Sequence, residues 1–244
     1  MNKPIEKISE EMYNDYTMNG LIPVVYQYRD DSDQAVQDEI RLKFTKEEFD
    51  LCEKRIKRKE QNYYGFTDTW LYDAFEIYPL TGKSVLVVGS THPWYETMCV
   101  VYGAEGVVVS EYCDRTSFHD KITYKKPHEF DGIEQFDVAL SISSYEHDGL
   151  GRYGDPLNPN GDLLAMQQLK KVIKKDGTLF LSIPVGKDMI CFNVHRIYGE
   201  HRFYRLINNW KPLATFGFME DSFDIQPNGT WGTPYQPVIV LENI

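Results

Sequence analysis

The 244-residue chain is 42% hydrophobic and 26% charged, proportions that exclude a disordered or collagen-like protein. At ~150 residues per domain, its length predicts one elaborated domain. Its 26 basic and 37 acidic residues give a net charge of −11, with no basic stripe, which excludes duplex nucleic acid as the main partner.

The opening Met1-Asn2-Lys3-Pro4-Ile5-Glu6 lacks the apolar core of a signal peptide. No run approaches the ~20 apolar residues of a membrane span. Four dispersed cysteines, Cys52, Cys99, Cys113 and Cys191, form no C-x-x-C pair and fit free thiols in a reducing cytoplasm. Residues 1–62 are polar, with an acidic patch at Asp30-Asp31-Ser32-Asp33, and read as an extension that caps the main domain or forms a homodimer arm. Within it, a helix is expected near 45–60, with Phe49, Cys52 and Ile56 on one face. The basic run Lys54 to Lys59 reads as that helix's solvated side.

From about residue 63 to 244 the pattern alternates. Leu71, Ala74, Phe75 and Tyr78 define an apolar helix face stopped by Pro79 and Gly82. Ser84 to Gly89 is a continuous apolar strand of the kind buried on both faces. A helix with Trp94, Met98, Val101 and Tyr102 follows, then strands at 106–111, 122–124 and 136–143. A helix over 161–175, with Ala165, Leu169, Val172 and Ile173 inward, ends at Asp176-Gly177. The next strand covers 178–184. A helix with Phe203, Leu206, Ile207 and Trp210, and strands at 213–218 and 237–241, complete the chain. Alternating strands and helices predict an α/β sheet with right-handed crossovers.

Ligands of such sheets bind beyond the carboxyl ends of the strands, where strand order reverses. Four segments are selected. In Gly89-Ser90-Thr91-His92-Pro93-Trp94-Tyr95-Glu96 one glycine permits a sharp turn, and helix-start amides offer an anion site; a tight turn without ligand is the alternative. Glu111 ends its strand about 20 residues later, where a carboxylate can accept both ribose hydroxyls or simply face solvent. The segment from Ser143 to Asp162 is too long for an ordinary connection. It offers His147 as a general base, with Glu146 or Asp148 to orient it. Arg152, Tyr153 and Asp155 are its candidate acceptor-binding residues. A self-packed loop, its acids capping turns, is the alternative there. In the fourth segment, Pro184 to Asp188 and then Phe192 to Gly199, Asn193 and Arg196 are candidate substrate contacts and His195 a second candidate base, set against a buried hydrogen-bonded histidine and a surface arginine.

The span from Val85 to Glu111 resembles class I S-adenosylmethionine-dependent methyltransferases, as do Ser143 to His147 and Lys174 to Pro184. More narrowly, the chain resembles the family called domain of unknown function 268. The matching stretches are Tyr64 to Asp68, Val87 to Ser90 with Pro93 to Glu96, Glu146 to Pro156, and Phe192-Asn193 with His195-Arg196, within about 62–210. The resemblance implies a Rossmann-like methyltransferase sandwich with a mostly parallel seven-stranded sheet. It implies S-adenosyl-L-methionine as cofactor, with Gly89, Ser90, Thr91, Glu111 and Ser143 around it. Members accompany bacterial surface-polysaccharide gene sets, which implies a sugar or nucleotide-sugar acceptor. The first loop departs from the family pattern Gly-x-Gly-x-Gly: Gly-Ser-Thr-His-Pro is bulkier and has fewer free amides.

The leading expectation is therefore a methyltransferase acting on a small-molecule hydroxyl. A non-catalytic binding protein on the same scaffold, its pocket blocked by His92 or Trp94, is the second. A metal-assisted hydrolase or lyase drawing on Glu146, His147, Asp155, Asp162 and His195 is the third. A nicotinamide oxidoreductase ranks last, since its glycine pattern is missing.

Overall fold

Helix α1 (Glu10–Thr17), strands β1 (Val24–Tyr26) and β2 (Lys43–Phe44) and helix α2 (Lys46–Lys57) form the N-terminal part of the computed structural model. The structure describes residues 4–32, 43–112, 114–131, 133, 135–226 and 235–244; Met1 to Lys3, Asp33 and Cys113, named above, lie outside them. Thr45 and Glu48 form a capping box that starts α2, and Phe49, Cys52 and Ile56 are buried on its expected face.

Helix α3 (Phe66–Ile77) leads to β3 (Ser84–Val88), α4 (Trp94–Val101) and β4 (Gly106–Ser110). Next come β5 (Thr116–Ser117), β6 (Ile122–Lys125), β7 (Phe136–Ile142), α5 (Gly161–Val172) and β8 (Ile173–Ser182). The chain ends with β9 (Met189–Phe192), β10 (His195–Ile197), α6 (Glu200–Leu206), β11 (Trp210–Phe216) and β12 (Val238–Asn243).

Seven strands form the main sheet in the order β11-β12-β8-β7-β3-β4-β6. The five from β8 to β6 are parallel, and β12 runs antiparallel to both of its neighbours. Strand alternation divides the core between two faces. Val85, Val87, Phe180 and Val240 join Ile56, Leu71, Phe75 and Met98 on one side. Leu86, Leu179, Leu181 and Ile239 join Met166, Leu169, Phe203 and Leu206 on the other. No helix among the described residues is long and apolar enough to cross a membrane.

Three boundaries differ from the sequence reading. Helix α5 stops at Val172 instead of running to 175. Ile173 already pairs with Phe136, and the Asn243 amide donates to the carbonyls of Lys170 (3.1 Å) and Ile173 (2.9 Å), taking up the helix-end acceptors. Trp210 opens β11 instead of closing a helix, because Asn209 at φ 66° reverses the chain. The 189–197 stretch, read as loop, is an antiparallel β9–β10 pair, and β1 adds to β9 in parallel as a third strand.

The N-terminal segment is thereby laid across the 143–162 segment. Ile8, Tyr16, Met18 and Ile22 pack with Leu150, Ile190 and Phe192. The Tyr16 hydroxyl donates to the Gly149 carbonyl.

Candidate active site

Strand order reverses between β3 and β7, and the loops that leave these strands touch. Gly89 stands at φ 71°, and a Cβ there would lie 3.0 Å from Ser144 Oγ, so the position calls for glycine. On the neighbouring strand end, Glu111 accepts a 2.9 Å hydrogen bond from the Ser90 amide and a 2.8 Å bond from the Tyr112 amide. The carboxylate is thus fixed at the mouth of the switch point by two backbone donors, one from each of two adjacent loops.

The bulk of the first loop is turned inward. Ser90 Oγ donates to the buried Glu96 carboxylate, which also accepts 2.8 Å from the Tyr124 hydroxyl. Burial pushes Glu96 up to about 7. Trp94 is buried with its indole N–H on Asp68 at 3.2 Å and the Arg55 guanidinium 4.8 Å from its ring centre. The Tyr95 hydroxyl and the Asn62 amide also donate to Asp68. Trp94 therefore does not obstruct the loop mouth. Thr91 and His92 are exposed.

Beyond β7, Ser143 at φ 52° donates to Glu146 Oε1, accepts 3.2 Å from the Gln236 amide, and engages the Tyr64 hydroxyl. Glu146 is 1% exposed; its Oε2 is buried and has no hydrogen-bond partner among the described residues. Burial raises its carboxyl to about 7. His147 takes the opposite course: burial, then the Arg152 charge, lowers it to about 3, so it is neutral at pH 7. Its Nδ1 lies 2.8 Å from the Val194 carbonyl, which assigns the proton there and leaves the lone pair on Nε2, 3.8 Å from Glu146 Oε1. Asp148 is raised to about 8, first by burial. His195 on β10 is lowered to about 4 by burial and by Arg152.

The other expected contacts have their polar groups committed within the protein. Asp155 accepts from the amides of Gly149 (2.9 Å), Gly151 (3.1 Å) and Tyr153 (3.3 Å), which folds the loop on itself. Asp162 is fully buried, ion-paired to Arg202 and hydrogen-bonded by the Tyr198 hydroxyl at 3.0 Å. Arg196, 2% exposed, donates to the Asp148 carbonyl at 2.6 Å and spans to Asn158. The Asn193 amide pairs both ways with the Arg29 backbone at 2.8 Å. Arg152 donates to Asp31 at 2.7 Å and lies over the Tyr153 ring. A ligand reaching Asn193, Arg196 or Asp155 would have to displace these internal bonds. Tyr153, 39% exposed, stays open to a ligand, its ring edge-on to His147 at 5.7 Å.

The structure thus gathers Ser143, Glu146, His147 and Tyr153 with Tyr64, and places Gly89, Ser90 and Glu111 across the switch point. Tyr64 and Asp68 sit in a stretch the sequence already marked, though without a role. Asp31 carried no distinguishing signal, since its partner lies 121 residues away. Among the described residues no group of His, Cys, Asp or Glu is placed to hold a metal ion. A cavity of about 400 Å³ lined by Met166, Lys170 and Trp210 lies where β11 begins, at the sheet edge opposite these loops.

A family model described as "Caenorhabditis protein of unknown function, DUF268" matches residues 82–230. No curated protein matches the chain. Among solved structures, the chain is similar to the 1,6-didemethyltoxoflavin-N1-methyltransferase of Burkholderia thailandensis, solved with 1,6-didemethyltoxoflavin and S-adenosylhomocysteine. That match has 11% identity, covers 100% of this chain and 93% of the other, and has a TM-score of 0.53. It is also similar to TehB of Haemophilus influenzae, with 12% identity, 79% and 67% coverage and a TM-score of 0.50. Likeness at this identity shows the fold: a Rossmann-like class I methyltransferase sandwich.

Proposed function

The chain belongs to the DUF268 family and carries the class I methyltransferase fold; from that premise we propose that it is an S-adenosylmethionine-dependent methyltransferase acting on a small-molecule hydroxyl, a sugar or nucleotide-sugar being the acceptor class to screen first. The observation that carries this reading is Glu111, held by the Ser90 and Tyr112 amides beside the switch point. Two backbone donors fix the carboxylate at the strand end where folds of this kind take a vicinal diol.

The residues fit the cofactor. Gly89 brings backbone close without a side chain, Glu111 would take the ribose hydroxyls, and Ser90 and Trp94 keep their side chains out of the mouth. Ser143 would stand between cofactor and acceptor. When bound, S-adenosylmethionine supplies an electrophilic methyl group on a sulfonium.

The protein's part is to position the acceptor oxygen and remove its proton. Glu146 suits the second task better than His147. A base is most effective with a pKa near the working pH, and Glu146 sits at about 7 while His147 sits at about 3. Glu146 Oε2 has no internal partner to give up. The Ser143 hydroxyl orients the carboxylate, the neutral His147 ring lies beside it, and the rings of Tyr64 and Tyr153 would border the acceptor.

Calorimetric titration with S-adenosylmethionine and S-adenosylhomocysteine tests the cofactor. Binding is expected, with Glu111→Ala weakening it about tenfold or more, ~1.4 kcal/mol. No binding of either ligand to the folded protein would overturn the reading. Once an acceptor is found, Glu146→Gln should cut turnover ~10²-fold or more while leaving cofactor affinity unchanged.

A further inference from the structure

Among the described residues, an ion pair joins the N-terminal extension to the candidate site. Asp31 grips Arg152 twice: its amide donates to the Arg152 carbonyl at 3.0 Å, and its carboxylate accepts from Arg152 Nε at 2.7 Å. Both side chains are about nine-tenths buried. Arg29 donates to the other Asp31 oxygen at 3.1 Å, and Asn193 pins the Arg29 backbone. Arg152 in turn reaches the Val194 carbonyl with Nη1 at 3.5 Å, the same oxygen that accepts from His147 Nδ1. Its guanidinium also lies over the Tyr153 ring, whose edge meets His147.

Glu146 offers this arginine a competing partner. Its Oε2 is buried and has no hydrogen-bond partner among the described residues, and only the His147 ring stands between it and Arg152: Nδ1 shares the Val194 carbonyl with Arg152 Nη1, and Nε2 lies 3.8 Å from Glu146 Oε1. Arg196 also acts on Glu146 electrostatically, but its donors are taken by backbone carbonyls. Among the described residues, the remaining titratable groups near Glu146 are His147, Asp148 and the hydroxyls of Tyr64, Tyr153 and Tyr198.

We propose that Asp31 is a positioning residue: by holding Arg152 on the N-terminal extension, it keeps the guanidinium from pairing with Glu146 and so leaves that carboxylate free to take a proton. An arginine–carboxylate pair would be the stronger bond. Glu146 paired with Arg152 would be ionised but a poor proton acceptor. The extension is therefore part of the catalytic arrangement as well as a cap. The kinetic side of this proposal rests on the methyltransferase reading; the electrostatic side does not.

The test follows Glu146 directly by carbon-13 NMR of glutamate carboxyls in the full-length protein, assigned with Glu146→Gln. In Asp31→Asn the Glu146 midpoint should fall by about one pH unit or more, the size expected for a new opposite charge alongside. The lower limb of kcat/KM against pH should move down with it, and plateau turnover should drop about tenfold or more, for loss of a free general base. Asp31→Glu should restore much of both. Arg152→Gln probes the link from the other side: the midpoint should rise, and adding Asp31→Asn should then change it little. That variant keeps the proposal testable if Asp31→Asn does not fold. A folded Asp31→Asn with an unchanged Glu146 midpoint would overturn the proposal, as would Arg152→Gln leaving it unchanged. A shifted midpoint in a protein that methylates nothing would count against the methyltransferase reading alone.

Discussion

Glu146 and His147 are neighbours that burial drives in opposite directions, because burial favours the uncharged form of each. Two predictions follow at this scale. If Glu146 is the base, kcat/KM rises with pH through about 7, as the carboxylate forms. His147→Ala should lower turnover but keep that limb, whereas Glu146→Gln should remove it; the reverse pattern returns the role to His147. Stability gives a second check. The folded pKa of Glu146 lies above its unfolded value, so the unfolded state loses this proton first and stability falls as pH rises from about 4.5 to about 7. Glu146→Gln has no such proton to lose. Its melting temperature relative to the parent should therefore be higher at pH 8 than at pH 5. The sequence displayed these residue types and their spacing, which sufficed to mark the segment. It did not display which nitrogen carries the proton or which carboxylate lacks a partner, because those depend on Val194, Arg152 and Ser143 arriving from elsewhere.

The element that sets this geometry is the segment between β7 and α5. It is self-packed: Asp155 gathers three amides, and Gly149 occupies φ 77°, where an added Cβ would meet the Asn158 carbonyl at 2.2 Å. Asp162 anchors its far end between Arg202 and Tyr198. Asp162→Asn would leave Arg202 and Arg196 buried and under-compensated, at a cost of about 3–5 kcal/mol. A melting temperature lower by on the order of 10 °C is expected at this chain length, and calorimetry would read it. A change of a degree or two would show that Asp162 contributes no more than a favourable charge at the start of α5. The strands of the main sheet were legible because buried parallel strands are written as continuous apolar runs. The β9–β10 pair was not, since its residues, from Met189 to Ile197, are interrupted by Asn193-Val194 and include His195-Arg196.

At the scale of the molecule, the seven-stranded order, with β12 reversed, places the Glu111 and Ser143 loops on the same edge. Alternating strands and helices led to an α/β sheet with its ligand loops at the strand ends, and the family resemblance added the seven strands; the order and the reversed strand were not legible. What the sequence left open was whether residues 1–62 belong to the working part. They pair through β1 with β9, clamp Arg152, and cover Leu150 and Phe192. Removal of residues 1–32 should therefore leave the main sheet's slow-exchanging amides in place while amides of 145–158 and 189–197 exchange faster, read by hydrogen-exchange mass spectrometry. Equal exchange in both chains would mean that the extension merely rests on the surface.

The Asp31–Arg152 clamp also has a history within each molecule. Its arms lie 121 residues apart, and Arg29 meets Asn193 across 164. During synthesis the extension leaves the ribosome long before either partner exists. Loop closure over such spans is slow, and contacts of this kind form after local ones. The main sheet can therefore be complete while Leu150 and the outer edge of β9 still lack their cover, which arrives only when α1 and β1 fold back onto them.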